Sequence, residues 1–273
     1  MQRARRRGRC ATSESCGAVG LDGLINLNKP AGISSAKALY RVRKVTGVRK
    51  SGHAGTLDPA ADGVLILCLG RATKLVERLM NLPKVYRAVA RLDVTSASFD
   101  SDRPLAPVAV SSTPSRDVVV AQLQSFEGVF DQIPPAISAV KVGGVPAYRR
   151  VHQGQSLELK ARPVRIYWVH VHRYKWPLLD FELACGRGAY VRAVIRDLGQ
   201  RLATGGVLTR LTRRAVGPFT VDAAISLERL AAGGWPIADD DPASTWLTPL
   251  ADAQCLLALD APAPPPPTGT SSG

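Results

Sequence analysis

The sequence lacks the patterns that indicate a membrane span, a disulfide framework or a nucleotide cofactor. No apolar run in its 273 residues approaches the roughly 18 residues that a transmembrane helix requires. The five cysteines form no C-x-x-C pair, and Cys68 and Cys185 stand in apolar segments where a reduced thiol packs as a small hydrophobe. No G-x-G-x-x-G follows a predicted strand, and G-x-x-x-x-G-K-[ST] does not occur. We therefore expect a cytoplasmic protein with no disulfide, no membrane contact and no nucleotide cofactor.

Histidines and acidic residues are both few. His170 and His172 would share one face of a strand, but no further ligand type stands at metal spacing, so we expect no metal site. Lys and Arg number 36 against 22 Asp and Glu, which gives a formal charge of +14. Five arginines lie within the first nine residues, yet the rest of the chain still carries +9. A basic folded body favours a nucleic acid as the partner.

Composition divides the chain into a folded body and two flanking segments. Residues 1–20 are predicted to be a disordered basic arm, residues 21–255 the folded body, and residues 256–273 a disordered Pro-rich tail. The predicted strands are "GLINLNKP", "VLILCLG", "KVYRAVARLDV", "RPVRIYWVHVHRY", "LLDFELACG" and "TRLTRRAVGPFTV". The predicted helices are "SSAKALYRVRKVTG", "ATKLVERLMN", "SRDVVVAQLQSFEG" and "AYVRAVIRDLGQRL". Adjacent strands without regular crossover helices predict an α+β fold with a central mixed, largely antiparallel sheet flanked by helices and loops.

One carboxylate stands in a stiff loop before a strand-like run. In "SGHAGTLDPAADGVLILCLG", Pro59 disfavours the helical region for Asp58, and glycines on either side permit tight turns. Such a loop can direct an ionised carboxylate, and Arg192 or Arg196 of the predicted helix could hold it bidentately. The same residue types also occur in ordinary loop-to-strand turns, so the pattern by itself leaves both interpretations open.

Seven segments resemble, in order, the motifs of the TruB-type tRNA pseudouridine synthases, which isomerise uridine 55 in the T loop of tRNA. They are "GLINLNKPAGISSAKAL", "GHAGTLDPAADGVLILCLGRATKL", "KVYRAVARL", "QIPPAISAVKVGGVPAYRRVHQG", "ARPVRI", "CGRGAYVRAVIRDLG" and "LTRRAVGPF". One match would be weak, whereas seven ordered matches from residue 23 to about residue 230 are specific. The resemblance implies the pseudouridine synthase fold, the tRNA T arm as partner and a reaction that needs no cofactor. We expect the chain to act as a monomer.

The resemblance also implies roles for individual residues. Asp58 corresponds to the essential aspartate, Tyr86 to the tyrosine that stacks on the target base, and Arg192 to the arginine that pairs with the aspartate. Tyr190 and Leu211 correspond to residues that line the uridine pocket. The aspartate would attack C1′ of the ribose, attack C6 of the uracil ring, or assist removal of the 2′ proton, and the residues leave these three routes open.

The contacts with RNA are expected outside the pocket. His53 matches the residue that takes the place of the flipped base in the RNA stack, and residues 132–155 match an RNA-clasping insertion. The basic side chains expected to contact RNA phosphates are Lys37, Arg41, Lys44, Lys141 and Arg149. For the first three, which lie on one face of a predicted helix, an ordinary solvated face is the alternative interpretation.

Four features depart from the family pattern. Ala97 stands where an acid is usual, His152 where an arginine is usual and Ala189 where a threonine is usual. After about residue 230 the resemblance fades, and the remaining segment is too short for the full C-terminal RNA-binding domain that many relatives carry. None of these departures removes a group that is assigned to bond breaking.

Two other functions are compatible with parts of the sequence. A noncatalytic tRNA-binding chaperone on the same scaffold would keep the basic surface and Tyr86. A glycosidase-like hydrolase would use Asp58 with Asp62 or Asp100, which requires a pair of carboxylates at a suitable separation and does not explain the basic charge. The combination of Asp58, Tyr86 and Arg192 favours the isomerase.

Overall fold

The computed structural model describes residues 21–136, 141–142, 145–146, 159–232, 246–258 and 263–266. Its strands are β1 (Gly23–Lys29), β2 (Ser51–His53), β3 (Asp62–Leu69), β4 (Lys84–Arg91), β5 (Val94–Thr95), β6 (Ala106–Pro107), β7 (Gly128–Gln132), β8 (Lys141–Val142), β9 (Val145–Pro146), β10 (Arg162–Lys175), β11 (Leu178–Cys185), β12 (Val207–Val216), β13 (Phe219–Thr220), β14 (Ile225–Ser226) and β15 (Leu247–Pro249). Its α-helices are α1 (Ser35–Thr46), α2 (Val76–Asn81), α3 (Arg116–Gln124), α4 (Val191–Arg201), α5 (Leu227–Ala232) and α6 (Leu250–Ala258).

One sheet of eleven strands organises these elements. Its main path runs β14-β1-β3-β12-β4-β11-β10-β7, and β2, β13 and β15 pair with strands of that path. The pairs β1–β14 and β3–β12 are parallel, and the other pairs of this sheet are antiparallel. The predicted α+β fold with a mixed, largely antiparallel sheet is therefore confirmed.

Helix α1 begins and ends where the sequence predicts. The Ser34 side chain accepts a hydrogen bond from the Lys37 backbone N–H at 3.2 Å, which satisfies one of the unpaired donors of the first turn. Gly47 follows the helix with a φ of 70°, and its N–H donates to the Arg43 carbonyl at 2.9 Å. This left-handed C-terminal cap favours glycine because a Cβ is disfavoured there.

Three predicted elements are divided in the structure. The strand predicted over residues 84–94 ends at Arg91 as β4, and Val94 belongs to β5 in a separate sheet. The single helix predicted over residues 72–81 is a 3-10 helix over Gly70–Leu75 followed by α2, and the Thr73 hydroxyl donates to the Gly70 carbonyl at 2.8 Å within the tighter turn. The predicted strand "TRLTRRAVGPFTV" is two strands, β12 and β13, because Gly217 turns the chain with a φ of 51° and Pro218 has no N–H for the ladder.

The helices pack differently against the two halves of the sheet. Around β1 and β3, side chains of α1 and α5 pack on one face and side chains of α2 and α6 on the other. Around β4, β10 and β11, the helices α3 and α4 pack on one face. Tyr86 of β4 and Leu211 of β12 contact both the α1 cluster and the α4 cluster. These two residues therefore lie at the centre of the sheet, where the two halves of the core meet.

The structure also shows how the end of the chain is arranged. Helix α6 continues to Ala258, past residue 255 where the sequence pattern placed the end of the folded body, and Ala263 and Pro264 contact the sheet. Residues 1–20 and the rest of the predicted tail lie outside the described residues. No helix in the described ranges is long and apolar enough to cross a membrane.

Candidate active site

Asp58 lies in the loop between β2 and β3, and this loop is bound to the start of α1. The buried Ser35 hydroxyl accepts a hydrogen bond from the Leu57 N–H at 2.9 Å and donates to the Leu57 carbonyl at 3.0 Å. On the other side, the Gly32 N–H donates to the Pro59 carbonyl at 2.7 Å. The residues before and after Asp58 are thus both fixed, so the position of the carboxylate is set by the backbone.

Two glycines allow the chain to enter and leave this loop. Gly55 has a φ of 96° and Gly63 a φ of 102°, which are conformations that side chains with a Cβ rarely adopt. At Gly63 a Cβ would also lie 2.3 Å from the Arg213 carbonyl oxygen. The close approach of β3 to β12 therefore requires glycine at this position.

Arg192, at the start of α4, forms an ion pair with Asp58. Its Nη2 is 2.8 Å from Asp58 Oδ2, and its side chain is only 5% exposed whereas that of Asp58 is 36% exposed. Its Nη1 donates to the Ser98 carbonyl at 3.2 Å. The guanidinium thus approaches from the protein interior and leaves the carboxylate accessible. Arg196, the other predicted partner, instead contacts Asp197 Oδ1 at 2.7 Å.

A cavity of about 560 Å³ lies beside this ion pair. Its walls come from the Asp58 loop, β4, β10, β12 and the start of α4. The predicted site residues that line it are Asp58, Tyr86, Tyr190, Arg192 and Leu211. The volume is in the range of pockets that hold small organic ligands. Sequence positions that are up to about 150 residues apart thus converge on one concave surface.

Arg213 is a cavity residue that the sequence pattern did not single out. It is 1% exposed, and its Nε donates to the Val64 carbonyl at 2.7 Å. Its Nη2 donates to the Gly55 carbonyl at 3.2 Å and its Nη1 to the Thr56 carbonyl at 3.4 Å. One buried guanidinium therefore joins the backbone on both sides of the loop that carries Asp58.

The strand pattern contained a signal for Arg213. Alternate residues of a strand share a face, so Arg213 lies on the same side of β12 as the predicted pocket residue Leu211. The neighbouring Arg214 points to the other side, and its side chain is 44% exposed. The inward arginine also donates to the Tyr86 hydroxyl at 3.4 Å. Of the two adjacent arginines, one therefore belongs to the site and the other to the surface.

Two ionisable residues of β4 also line the cavity. Burial raises the pKa of the Tyr86 phenol, and the nearby Arg213 charge opposes this shift. Burial lowers the pKa of Lys84 to about 8. The Lys84 ammonium donates to the Leu82 carbonyl at 2.6 Å and to the Met80 carbonyl. Tyr86 is thus a neutral aromatic ring at neutral pH, which suits contact with an uncharged base.

Gln132, at the end of β7, fixes the backbone of Tyr190. The Tyr190 N–H donates to Gln132 Oε1 at 2.8 Å, and Gln132 Nε2 donates to the Tyr190 carbonyl at 3.2 Å. Gln132 is 1% exposed, and Tyr190 directly precedes α4. This two-way contact sets where α4 begins and hence where Arg192 is held. Gln132 is the first residue of the predicted insertion, and no sequence pattern indicated its role at the site.

The other acids considered for the site do not face the cavity. Among the described residues that line the cavity, Asp58 is the one acidic residue. Neither Asp62 nor Asp100 lines it. Asp100 is buried, its Oδ1 accepts the Ser101 N–H at 2.7 Å, and its burial raises its pKa while the Arg192 charge opposes that shift. The described cavity therefore lacks the carboxylate pair that a glycosidase-like hydrolase requires.

His53 lies at the end of β2 and does not line the cavity. Its Nδ1 is buried without a hydrogen-bond partner in the described part of the chain, and burial lowers its pKa. Its role in the RNA stack stays a prediction. Of the departures from the family pattern, Ala189 lines the cavity and Ala97 is exposed, whereas His152 lies outside the described residues.

The predicted phosphate-binding residues are only partly described. Lys37, Arg41 and Lys44 are exposed on α1, as expected for an RNA-facing or solvated helix face. The side chains of Lys141 and Arg149 lie outside the described residues, as does most of the predicted insertion.

A metal site is not found in the described ranges. No group of three or more His, Cys, Asp or Glu side chains there could hold a metal ion. His170 and His172 do share a strand face, with ring centroids 4.7 Å apart. His172 Nε2 lies 3.0 Å from Glu182 Oε2, so one of the two imidazoles is hydrogen-bonded to a carboxylate.

Sequence comparison identifies relatives of this chain. Residues 43–191 match the family model described as TruB family pseudouridylate synthase (N terminal domain). A protein named tRNA pseudouridine synthase B from Arthrobacter sp. (strain FB24) is 39% identical over 217 residues, which cover 77% of this chain and 71% of that protein. A protein of the same name from Thermobifida fusca (strain YX) is 40% identical over 219 residues, which cover 77% and 75%.

Two solved structures with a similar fold are chains of larger complexes. A chain in the "Crystal Structure of a Cbf5-Nop10-Gar1 Complex" aligns with a TM-score of 0.60 and 28% identity, covering 77% of this chain and 53% of that one. A chain in the "Structure of H/ACA RNP bound to a substrate RNA containing 2'-deoxyuridine" aligns with a TM-score of 0.58 and 26% identity, covering 77% and 52%. This chain thus spans about half the length of these structural relatives. The pseudouridine synthase fold that the sequence resemblance implies is confirmed.

Proposed function

Because the chain belongs to the TruB family of pseudouridylate synthases, we propose that it isomerises uridine 55 in the T loop of tRNA to pseudouridine. The observation that carries the proposal is the ion pair between Asp58 and the buried Arg192, beside a cavity that Tyr86 also lines. We further propose that the chain acts as a monomer in the cytoplasm, with residues 21–258 as catalytic domain and residues 132–155 as an RNA-clasping insertion. A monomer suffices because one chain supplies every lining residue named above.

Substrate binding begins with the phosphates of the T arm. The net positive charge of the chain attracts the RNA, and the exposed cations of α1 are the described candidates for phosphate contacts. The target uridine then leaves the RNA stack, which costs a few kcal/mol. Stacking of the everted base on Tyr86 offsets part of this cost, because base–aromatic stacking contributes about 1–3 kcal/mol. Tyr190 and Leu211 provide two further walls of the base pocket.

The reaction itself is balanced without an added reactant. The bond between N1 and C1′ breaks, the uracil turns, and a bond between C5 and C1′ forms. The proton on C5 is released to solvent and N1 gains a proton, so there is no net oxidation or reduction. Each of the three routes left open by the sequence uses Asp58 in its ionised form, either as nucleophile or as base.

The surrounding residues orient this carboxylate. Arg192 binds one carboxylate oxygen from the buried side, so the partly exposed carboxylate can meet the ribose or the base. Arg213 and Ser35 hold the loop on which Asp58 lies, and Gln132 holds the start of the helix that carries Arg192. Catalysis by positioning requires such rigid support, because small displacements of a reacting group strongly reduce the rate.

Tritium release from C5 of uridine tests the proposed function. A tRNA transcript with [5-³H]uridine is expected to release one tritium per molecule, and a transcript with cytidine in place of uridine 55 is expected to release none. Release from the cytidine transcript would place the reaction at another uridine. Saturable tRNA binding with no release from either transcript would favour the chaperone. Free uracil and an abasic site would favour the hydrolase.

A further inference from the structure

A row of paired residues crosses the sheet on the face opposite the active site. Ala215 of β12 pairs with Val85 of β4, Val85 pairs with Ala184 of β11, and Ala184 pairs with Trp168 of β10. Because Val85 directly precedes Tyr86 in β4, its side chain points away from the cavity. Three small side chains followed by one indole form a shallow apolar trough, here called the Trp168 row.

The Trp168 row is bounded on one side by polar side chains. The next row of paired residues on the same face consists of Thr212, Arg87, Glu182 and His170. Arg87 is engaged with Asp180 at 3.0 Å. These polar side chains therefore limit the apolar trough on this side, which suits an extended chain that lies along the row.

A segment near the end of the chain occupies this trough. Ala263 packs against the three small residues of the Trp168 row. The Trp168 indole Nε1 donates a hydrogen bond to the Pro264 carbonyl at 2.6 Å. Ala263 and Pro264 are half-buried, whereas the two prolines that follow them are exposed. The segment is thus held by apolar packing and by one hydrogen bond.

The chemistry of the segment explains why it fits. Its local sequence is "PAPPPP", and successive prolines favour the polyproline II helix, which has no internal hydrogen bonds. The carbonyls of such a helix remain free to accept, and little conformational entropy is lost on binding because the chain is already extended. Aromatic grooves with an outward N–H or O–H donor bind polyproline II segments in this way.

We propose that the Trp168 row is a binding site for a polyproline II segment, and that residues 263–266 of the same chain are its resident ligand. Four residues separate the end of α6 from this segment. Such a short connection gives the segment an effective concentration in the millimolar range at the row. A free proline-rich peptide therefore competes poorly with the resident segment and binds well only when that segment is altered.

The test uses the full chain with ¹⁵N-labelled tryptophan indoles. The chain has four tryptophans, and Trp168→Phe identifies the Trp168 signal while it keeps an aromatic ring. A segment variant carries Ala263→Asp, Pro264→Gly, Pro265→Gly and Pro266→Gly at unchanged chain length. In this variant the Trp168 indole N–H is expected to shift and to exchange with solvent up to about tenfold faster, as loss of one hydrogen bond predicts.

A peptide titration then tests recognition. The peptide PAPPPPT, added to the segment variant, is expected to return the Trp168 signal to its wild-type position in a saturable manner, whereas GSGSGSG is not. With a fluorescein-labelled PAPPPPT peptide and fluorescence anisotropy as the readout, the segment variant that also carries Trp168→Phe should bind up to about tenfold more weakly than the segment variant, because Phe cannot donate.

Two results would overturn the proposal. An indole signal that is the same in wild type and segment variant would show that the segment does not occupy the row. A signal that moves in the variant but does not respond to PAPPPPT at millimolar concentration would show that the row does not recognise polyproline. Cooperative thermal unfolding of all variants verifies that they are folded, and the readout is independent of whether the chain isomerises uridine.

Discussion

Replacement of Arg213 by methionine tests whether a buried guanidinium supports the loop that carries Asp58. Methionine retains much of the aliphatic volume of the side chain but none of its donors. The Val64 carbonyl, 2.7 Å from Nε, would lose a short hydrogen bond, and the carbonyls of Gly55 and Thr56 would lose longer ones. A buried acceptor left without a partner costs about 1–3 kcal/mol, and the more exposed carbonyls near the cavity can be hydrated. We expect the free energy of unfolding to fall by about 2–4 kcal/mol.

The neighbouring arginine provides the matched control. Arg214→Met removes the same groups from a side chain that is 44% exposed and 3.6 Å from Asp222, so it should change the free energy of unfolding by less than about 0.5 kcal/mol. Urea denaturation of both variants with linear extrapolation measures the difference. Equal effects of the two substitutions, or an Arg213→Met variant as stable as wild type, would refute the reasoning.

Three further predictions concern catalysis, RNA binding and pH. Arg192→Lys keeps the charge but cannot bind both Asp58 and the Ser98 carbonyl in the same geometry, so kcat for tritium release should fall by about 100-fold or more with KM for tRNA nearly unchanged; a rise in KM alone would contradict this. Simultaneous substitution of the three exposed cations of α1 by glutamine should weaken tRNA binding and reduce the slope of log affinity against log salt by up to about 2. An unchanged slope would show that these side chains do not bind RNA phosphates. The three cations are Lys37, Arg41 and Lys44. Because the pKa of Lys84 is lowered from 10.5 to about 8, the unfolded chain binds more protons between these values, so the free energy of unfolding should rise from pH 8 to pH 10, and it should rise less in Lys84→Met.

The sequence predicts those features that depend on local chemistry. The caps of α1 were predictable because Ser34 and Gly47 act on their own helix. The rigidity of the Asp58 loop was likewise predictable from the neighbouring proline and glycines. The residue pattern alone left the choice between Arg192 and Arg196 open, and only the family resemblance indicated Arg192. The choice depends on where α4 begins, and Gln132 from a distant strand sets that start.

Features that depend on contacts between distant segments were missed. Arg213 reaches a loop about 150 residues earlier in the chain, and only the register of β12 against β3 and β4 turns it towards Asp58 rather than to solvent. The contact between residues 263–266 and the Trp168 row was not predicted, for a related reason. Their composition predicts no core of their own, but three small side chains and one indole on four strands supply an apolar surface for them.

Single-turnover tritium release by Asp58→Asn tests the central claim most directly. Asparagine keeps the size and a hydrogen-bond acceptor but removes the charge that Arg192 binds. Asp180→Asn is the matched control, since Asp180 is paired with Arg87 at 3.0 Å outside the cavity. With enzyme in excess over labelled tRNA and binding measured in the same samples, we predict no release above background for Asp58→Asn with tRNA still bound, and wild-type release for Asp180→Asn. Release by Asp58→Asn at a rate near that of wild type would contradict the account.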